Sequence, residues 1–408
     1  DAEGKITAIR EGVANFVASY GGLQATQAVQ VVHVPATLVH RYDFEIDAYD
    51  SISFADGILM NNAHIENGAV VLDGVDAYVD LPNNILIDYM DDASSVSIEA
   101  WFIDQGSGNW GRIWDFGNSN AGEDFAGAGT SYAFMGVAAD IMRGAYKLTD
   151  QGEQGMSVTP RPSIGELHQV VWTSDAGANL AVIYVDGVKV GANTAVTATP
   201  VDIGATANDW LGRSQYSGDA YFNGSISEFR VYQGILTPLE VAVNAAAGPD
   251  QPQLVPGALT RLAFDMADTI TLGSPKHAVV WADFQNVLGV NISHVPDLVL
   301  TSSAPEVISV EGNKLIASGS GTATITATYQ GLSATKSLTA TYPPMVHRYS
   351  FSEAPGATIT ADSVGGADGE ILGGAFVDGS GSVTMSGNGG YVNLPNGIIS
   401  SLEEDRKS

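Results

Sequence analysis

Apolar and polar residues alternate along most of this chain with a period of two. Across residues 322–329 Ala323, Ile325, Ala327 and Tyr329 are separated by threonines, and across residues 96–102 Val96, Ile98, Ala100 and Phe102 alternate with Ser97, Glu99 and Trp101. Residues 181–185 read the same way. Successive side chains of a strand point to opposite faces, so each segment predicts a strand with one core face and one wet face. With 47 glycines and abundant threonine and valine, the chain as a whole is predicted to be all-β. One helix interrupts the pattern. Thr237 reads as its N-cap, Pro238 as its first residue and Glu240 as the partner three after the cap. Leu239, Val241 and Val243 lead on to Ala245, Ala246 and Ala247, and Gly248 followed by Pro249 stops the helix.

Parts of the pattern occur twice. Leu38-Val39-His40-Arg41-Tyr42-Asp43-Phe44 returns as Met345-Val346-His347-Arg348-Tyr349-Ser350-Phe351, and Tyr78-Val79-Asp80-Leu81-Pro82-Asn83 returns as Tyr391-Val392-Asn393-Leu394-Pro395-Asn396. Upstream of each copy, the stretch from Lys5-Ile6-Thr7-Ala8 to Thr26 tracks the stretch from Lys314-Leu315-Ile316-Ala317 to Thr335. The chain therefore reads as a window on a tandem array of two alternating modules, an organisation suited to holding, spacing or binding. Linker signals at residues 248–257 and at Pro343-Pro344 set the boundaries. They give the end of a small module at 1–36, a large module at 37–248, a small one at 249–342, and the start of a second large one at 343–408. That last segment is expected to hold too few strands to close a sandwich, and so to be mobile or to expose unpaired edges.

Charge narrows the partners. Asp and Glu number 46 against 17 Lys and Arg, a formal net charge of -29. This argues against nucleic acid and anionic lipid, favours cations, and also serves simply to keep an exported protein soluble. There is no cysteine, which excludes disulfides, thiolate nucleophiles and cysteine-ligated zinc. No run approaches the length of a membrane span, and the chain opens at Asp1 inside a strand pattern, which places any export leader upstream.

The segment Leu300-Thr301-Ser302-Ser303-Ala304-Pro305-Glu306-Val307-Ile308-Ser309-Val310 precedes Gly319-Ser320-Gly321-Thr322-Ala323-Thr324-Ile325-Thr326-Ala327-Thr328-Tyr329. In this the small module resembles bacterial immunoglobulin-like domains of group 2. The large module carries His40-Arg41-Tyr42-Asp43-Phe44, residues 71–79, Ser97-Ile98-Glu99-Ala100-Trp101, residues 184–190, and residues 222–232 from Phe222 to Tyr232. In that order these resemble the laminin G-like jelly roll of the concanavalin A-like lectin and glucanase superfamily. The resemblance implies two curved antiparallel sheets packed face to face beside an immunoglobulin-like β-sandwich.

Catalysis is not expected. A glucanase of this superfamily would carry closely spaced carboxylates along one strand face, and Glu99 and Glu228 stand as single acids among apolar neighbours. Residues 173–180 look superficially like the Asp-box of sialidases but read better as a hairpin turn, and His40 and His168 read as structural. A cation is a stronger expectation. Asp50-Ser51-Ile52-Ser53-Phe54-Ala55-Asp56-Gly57 repeats as Asp362-Ser363-Val364-Gly365-Gly366-Ala367-Asp368-Gly369. The resemblance implies calcium near this loop and near Glu228, although Ser227 stands where relatives have a first acid; the alternative is an Asx-turn pinning the loop. For glycan contact the aromatic and polar cluster of Trp210, Arg213, Tyr216 and Tyr221 has the right composition, and Trp101, Trp114 and Trp172 are assigned to the core.

The expected whole is a noncatalytic, secreted or surface-exposed bacterial adhesion array, with jelly rolls that bind polysaccharide or cell-surface glycan and immunoglobulin-like spacers. Two further readings are a stalk that binds nothing and the accessory part of a glycoside hydrolase.

Overall fold

The computed structural model describes residues 12–31 and 34–398. The repeated Lys5-Ile6-Thr7-Ala8 motif and the hydrophilic stretch at 403–408 lie outside the described residues. The chain opens on the antiparallel hairpin of β1 (Gly12–Tyr20) and β2 (Leu23–Val31), paired from Gly12 with Val31 to Tyr20 with Leu23.

The large module follows. Its first strands are β3 (Thr37–Tyr42), β4 (Ile58–Met60), β5 (His64–Glu66), β6 (Ala69–Asp73), β7 (Tyr78–Leu81) and β8 (Ser95–Asp104). Then come β9 (Gly111–Ser119), β10 (Gly129–Ala138), β11 (Ile141–Lys147), β12 (Gln154–Val158), β13 (Leu167–Asp175), β14 (Leu180–Val185) and β15 (Val188–Asn193). The short helix α1 (Pro200–Ile203), β16 (Asn208–Leu211), β17 (Asn223–Gln233) and α2 (Pro238–Ala247) complete it. One sheet has seven strands in the order β12-β11-β10-β9-β16-β7-β4; the other runs β15-β14-β13-β8-β17-β6-β5, with β3 added on β17. All the pairings within these two sheets are antiparallel. Strands distant in sequence lie side by side, β8 beside β17 and β9 beside β16, as a jelly roll requires.

The alternation seen in the sequence becomes the core. Val96, Ile98, Ala100 and Phe102 of β8 face Trp114, Phe116 and Met135 of the opposite sheet, joined by Trp172, Phe229 and Val231. Trp114 and Trp172 are core residues, as expected, and Trp101 is buried on the other side of its strand. Each large apolar side chain taken fully out of water contributes about 1.5–3 kcal/mol, so this cluster dominates the stability of the module. Asn223-Gly224, which reads as a turn in the sequence, instead opens β17. Gly224 is needed because a Cβ there would sit 2.0 Å from the Ile103 carbonyl oxygen, in a strand flanked by β6 and β8.

Helix α2 forms with the predicted cap: Thr237 Oγ1 accepts from the Glu240 N–H at 3.2 Å, and the Glu240 carboxylate accepts from the Thr237 N–H at 2.7 Å. One side of the helix packs Val241 against Val182, Tyr184 and Tyr232 of the jelly roll. Another packs Ala242 and Val243 into the core of the following module, with Val280, Phe284, Ile292 and Tyr329. The helix lies so close to the turn after β14 that a Cβ on Gly187 would approach Ala245 to 2.9 Å. Helix α2 thus belongs to two cores.

The following module begins with β18 (Leu259–Phe264), β19 (Thr269–Thr271), β20 (Lys276–His277), β21 (Val280–Phe284) and β22 (Val290–Asn291). It continues with β23 (Val299–Ser302), β24 (Ile308–Glu311), β25 (Lys314–Ala317), β26 (Gly321–Tyr329) and β27 (Leu332–Thr341). They form sheets β18-β21-β22, β19-β27-β26-β23 and β20-β25-β24. The β26 and β27 hairpin repeats the pairing of β1 and β2, from Gly321 with Ala340 to Tyr329 with Leu332. Beyond it, residues 343–398 form only β28 (Ile359–Thr360), β29 (Gly369–Leu372), β30 (Phe376–Val377), β31 (Val383–Thr384) and β32 (Tyr391–Asn393), in two small sheets. Ile359, Phe376 and Tyr391 stay exposed there.

Candidate functional site

The face of the seven-stranded sheet turned away from the core carries a row of polar and aromatic side chains. Strand β7 has Val79 and Leu81 in the core, so its alternation puts Tyr78 and Asp80 on the outer face. Register then aligns Ile58 of β4, Asp80, Trp210 of β16, Asp115 of β9 and Phe134 of β10 across the sheet. The guanidinium of Arg213 lies over two rings of this face, 4.0 Å from the Trp210 centroid and 4.6 Å from that of Tyr78. Tyr221 is 6.4 Å from Tyr78, and Trp210 Nε1 donates to Asp80 Oδ1 at 3.0 Å. Arg213 Nη2 donates to the carbonyl of Asp124, beside the exposed Phe125. The result is a half-open shelf of Asp80, Arg213 and Tyr221, laid over the buried rings of Tyr78 and Trp210 and rimmed by Asp124. Burial pushes the Asp80 carboxyl up, helped by the negative charge of Asp124.

Of the four residues expected to touch glycan, the structure brings Trp210, Arg213 and Tyr221 together around Tyr78 and sets Tyr216 apart. Trp210 is fully buried, a correction to its expected open face: β16 is an inner strand, and Arg213 covers the ring. Tyr216 stands apart, its ring 5.8 Å from Tyr132 and its hydroxyl near those of Tyr132 and the Gly129 carbonyl. The period of two in the repeated Tyr-Val-Asp-Leu segment sets Tyr78 and Asp80 on one face, and Asp80 is the one that stays half-open there.

Next to the shelf the outer face is closed by a buried polar network. Arg112 Nε donates to Asp115 Oδ2 at 3.1 Å and its Nη2 to Asp219 Oδ2 at 3.0 Å, while the Gln215 N–H reaches Asp115 Oδ2 at 3.1 Å. On the core side, Asp209 Oδ2 accepts from the Ile85 N–H at 3.0 Å and from Thr206 Oγ1 at 2.7 Å. Burial raises Asp115 to about 6 and Asp209 to about 7. Both are fully buried, so neither can meet a substrate as a proton donor.

The three acids expected around a cation take other partners. Asp50 Oδ1 accepts from the Arg41 and Ile52 N–H groups at 2.9 and 3.0 Å, and Oδ2 from His40 Nδ1 at 2.7 Å and the N–H groups of Ser53 and Ala55. Asp56 Oδ1 accepts from the Asp50 N–H at 3.0 Å. Burial acts to raise the Asp50 carboxyl, and the bonds from His40, Arg41 and Ile52 outweigh it, leaving it below the ordinary range. Glu228 is gripped by Arg41 Nε at 2.7 Å and Arg230 Nε at 2.6 Å. The donor set does not fit calcium, since the Asp50 and Glu228 oxygens are spent on N–H groups that a cation would have to displace. Among the described residues no three His, Asp or Glu side chains are placed to hold a metal.

Glu99 and Glu228, the acids weighed for catalysis, are both fully buried, and Glu99 is bonded to Asn244 of α2. Glu99 Oε2 accepts from Arg230 Nη1 at 3.1 Å, Tyr232 Oη at 2.8 Å and Asn244 Nδ2 at 3.2 Å, and Arg230 Nη2 donates on to the carbonyl of Pro249. Residues 173–180 form the hairpin turn between β13 and β14, with Asp175 Oδ1 accepting from the Ala178 N–H. His168 Nδ1 lies 2.8 Å from Asp186 Oδ2 and its Nε2 2.8 Å from Ser163 Oγ, which resembles a nucleophile array. The Ser163 hydroxyl donates to Glu166 at 2.8 Å, so its proton is directed away from the imidazole and His168 serves to tie the loops.

Residues 73–242 match the concanavalin A-like lectin/glucanases superfamily. The match spans the greater part of the jelly roll and supports that fold. Domain 4 of AbnA, a GH43 extracellular arabinanase from Geobacillus stearothermophilus, solved with arabinotriose, is 19% identical with a TM-score of 0.40, covering 50% of this chain and 97% of that one. The Ruminococcus gnavus IT-sialidase CBM40 bound to alpha2,3 sialyllactose is 12% identical with a TM-score of 0.34, covering 42% and 94%. The binding domain of Botulinum neurotoxin DC in complex with rat synaptotagmin II is 11% identical with a TM-score of 0.40, covering 90% and 96%. No curated protein matches the chain.

Proposed function

We propose that the jelly roll is a noncatalytic glycan-binding module whose contact surface is the shelf of Asp80, Arg213 and Tyr221. The observation that carries this reading is Arg213 stacked over Trp210 and Tyr78. It fixes a planar cation in place over two buried rings, with the half-buried ring of Tyr221 and the carboxylate acceptors of Asp80 beside it. A saccharide offers hydroxyl donors and apolar ring faces to match. The carboxylates of Asp80 and Asp124 and the net charge of -29 favour a neutral sugar over an acidic one. The buried, ion-paired state of Glu99 and Glu228 supports binding without hydrolysis. A glycan array probed with the full chain tests the proposal: binding of neutral saccharides that is lost in Tyr221→Ala supports it, and silence from folded protein overturns it.

Around that module we propose an exported array in which the small module, immunoglobulin-like in its sequence, acts as a spacer. A second reading, a stalk that binds nothing, is favoured by one observation, the anchoring of α2 in two cores with Arg230 bonded across to Pro249. Stiffness and binding are compatible, and the array separates them.

A further inference from the structure

The loop that leads into β4 is knotted identically in both copies, and this makes the second copy a reference for the first. Asp50 and Asp362 occupy equivalent centres. Arg41 and Arg348 N–H groups donate to their Oδ1 at 2.9 and 2.8 Å, Ala55 and Ala367 N–H groups to their Oδ2 at 3.3 and 3.2 Å, and the N–H groups of Asp50 and Asp362 donate to Asp56 Oδ1 and Asp368 Oδ1 at 3.0 and 2.9 Å. Within this shared frame two aromatic residues of the first copy have no aromatic counterpart in the second. Phe54, with φ +59°, stands where the second copy has Gly366 with φ +67°, and Tyr49 stands where it has Ala361. A bulky side chain at positive φ is strained, and glycine is the residue this backbone asks for. Phe54 recovers nothing from burial, being 84% exposed, and Tyr49 is 62% exposed.

The loop also has a definite place relative to the shelf. Ile58, 61% exposed, pairs with Asp80, and Met60 pairs with Tyr78, so β4 extends the outer face by one strand beyond the shelf. Phe54 is four residues before Ile58. Strand spacing and the reach of four residues of chain put Phe54 within on the order of 20 Å of Tyr221. Asp56, exposed, keeps the acidic character of the shelf along this stretch of chain.

We infer that Phe54, with Tyr49, is a second contact point for the glycan, so that the site takes an extended neutral polysaccharide chain rather than a terminal sugar. This rests on the glycan reading of the shelf. Calorimetry on the full chain with neutral di- and hexasaccharides of glucose, xylose and arabinose tests it, using Phe54→Gly, Tyr49→Ala and Tyr221→Ala. Phe54→Gly and Tyr49→Ala install the second copy's own residues. Phe54→Gly is expected to weaken hexasaccharide binding at least fivefold, leave disaccharide binding unchanged, and leave the melting temperature equal or higher. Tyr221→Ala is expected to weaken both ligands. Equal hexasaccharide affinity in Phe54→Gly and wild type, with Tyr221→Ala still impaired, overturns this inference alone. A lower melting temperature with both ligands equally weakened makes Phe54 structural and overturns it too, and no binding by any saccharide overturns the shelf reading with it.

Discussion

His40 Nδ1 lies 2.7 Å from Asp50 Oδ2 in the closed jelly roll, and both side chains are fully buried. His347 and Asp362 repeat the pair at 2.5 Å in a segment that has only small sheets around it. The knot is therefore encoded locally, by residues within about twenty positions of one another, and the surrounding sandwich adds burial and a contact from His40 Nε2 to the Ile85 carbonyl at 3.1 Å. It ties the start of β3 to the loop before β4.

Breaking the buried pair should be costly. Asp50→Ala leaves His40 and several N–H groups without their acceptor, and a loss of about 3–5 kcal/mol is expected from the usual cost of removing one partner of a buried pair. Urea denaturation of the full chain measures it. Because Asp50 is held below the ordinary carboxylate range, its contribution is present above that range and is lost as pH falls through it.

Calcium should have no saturable effect at this loop. Calorimetric titration of wild type is expected to give no heat assignable to Asp50, Asp56 and Glu228, and Asp56→Ala should not change the trace. A saturable site abolished by that substitution would show that the N–H groups yield to a cation.

Asp209 has the opposite pH sign. Its folded value of about 7 lies above the ordinary 3.8, so stability is fully present below the ordinary value and is lost as pH rises through 7. At 1.36 kcal/mol per pKa unit the span corresponds to roughly 4 kcal/mol. Asp209→Asn, which mimics the protonated acid, should flatten the decline between pH 5 and 8 and be the more stable protein at pH 8.

The joint at α2 predicts coupled modules. Val243→Asp puts a charge into the core shared with Val280 and Phe284, and should broaden the distance distribution between spin labels on the jelly roll and on β26. The chain contains no cysteine, so single labelling cysteines can be introduced without background. An unchanged, narrow distribution would mean that the linker bonds of Arg230 to Pro249 and Gln253 to Ala36 hold the modules by themselves.

Much of this protein was legible in the sequence. The period of two named the strands and their core faces, and the Thr-Pro-Leu-Glu start and Gly-Pro stop bounded α2, because these depend on residues close together in the chain. The site was legible only in part. Composition singles out Arg213 and Tyr221 of the proposed shelf, while Trp210, expected on an open surface, is buried, and composition is silent on Asp80. Whether an aromatic ring lies open or covered depends on which strand becomes central and on what crosses above it: β16 is central because it pairs with the distant strands β7 and β9, and the fold of the loop after β16 brings Arg213 back over the ring. The same holds for Glu99 and Glu228. As letters they were available for chemistry, and only the packing of α2 and the reach of Arg230 turned them into buried partners of a joint.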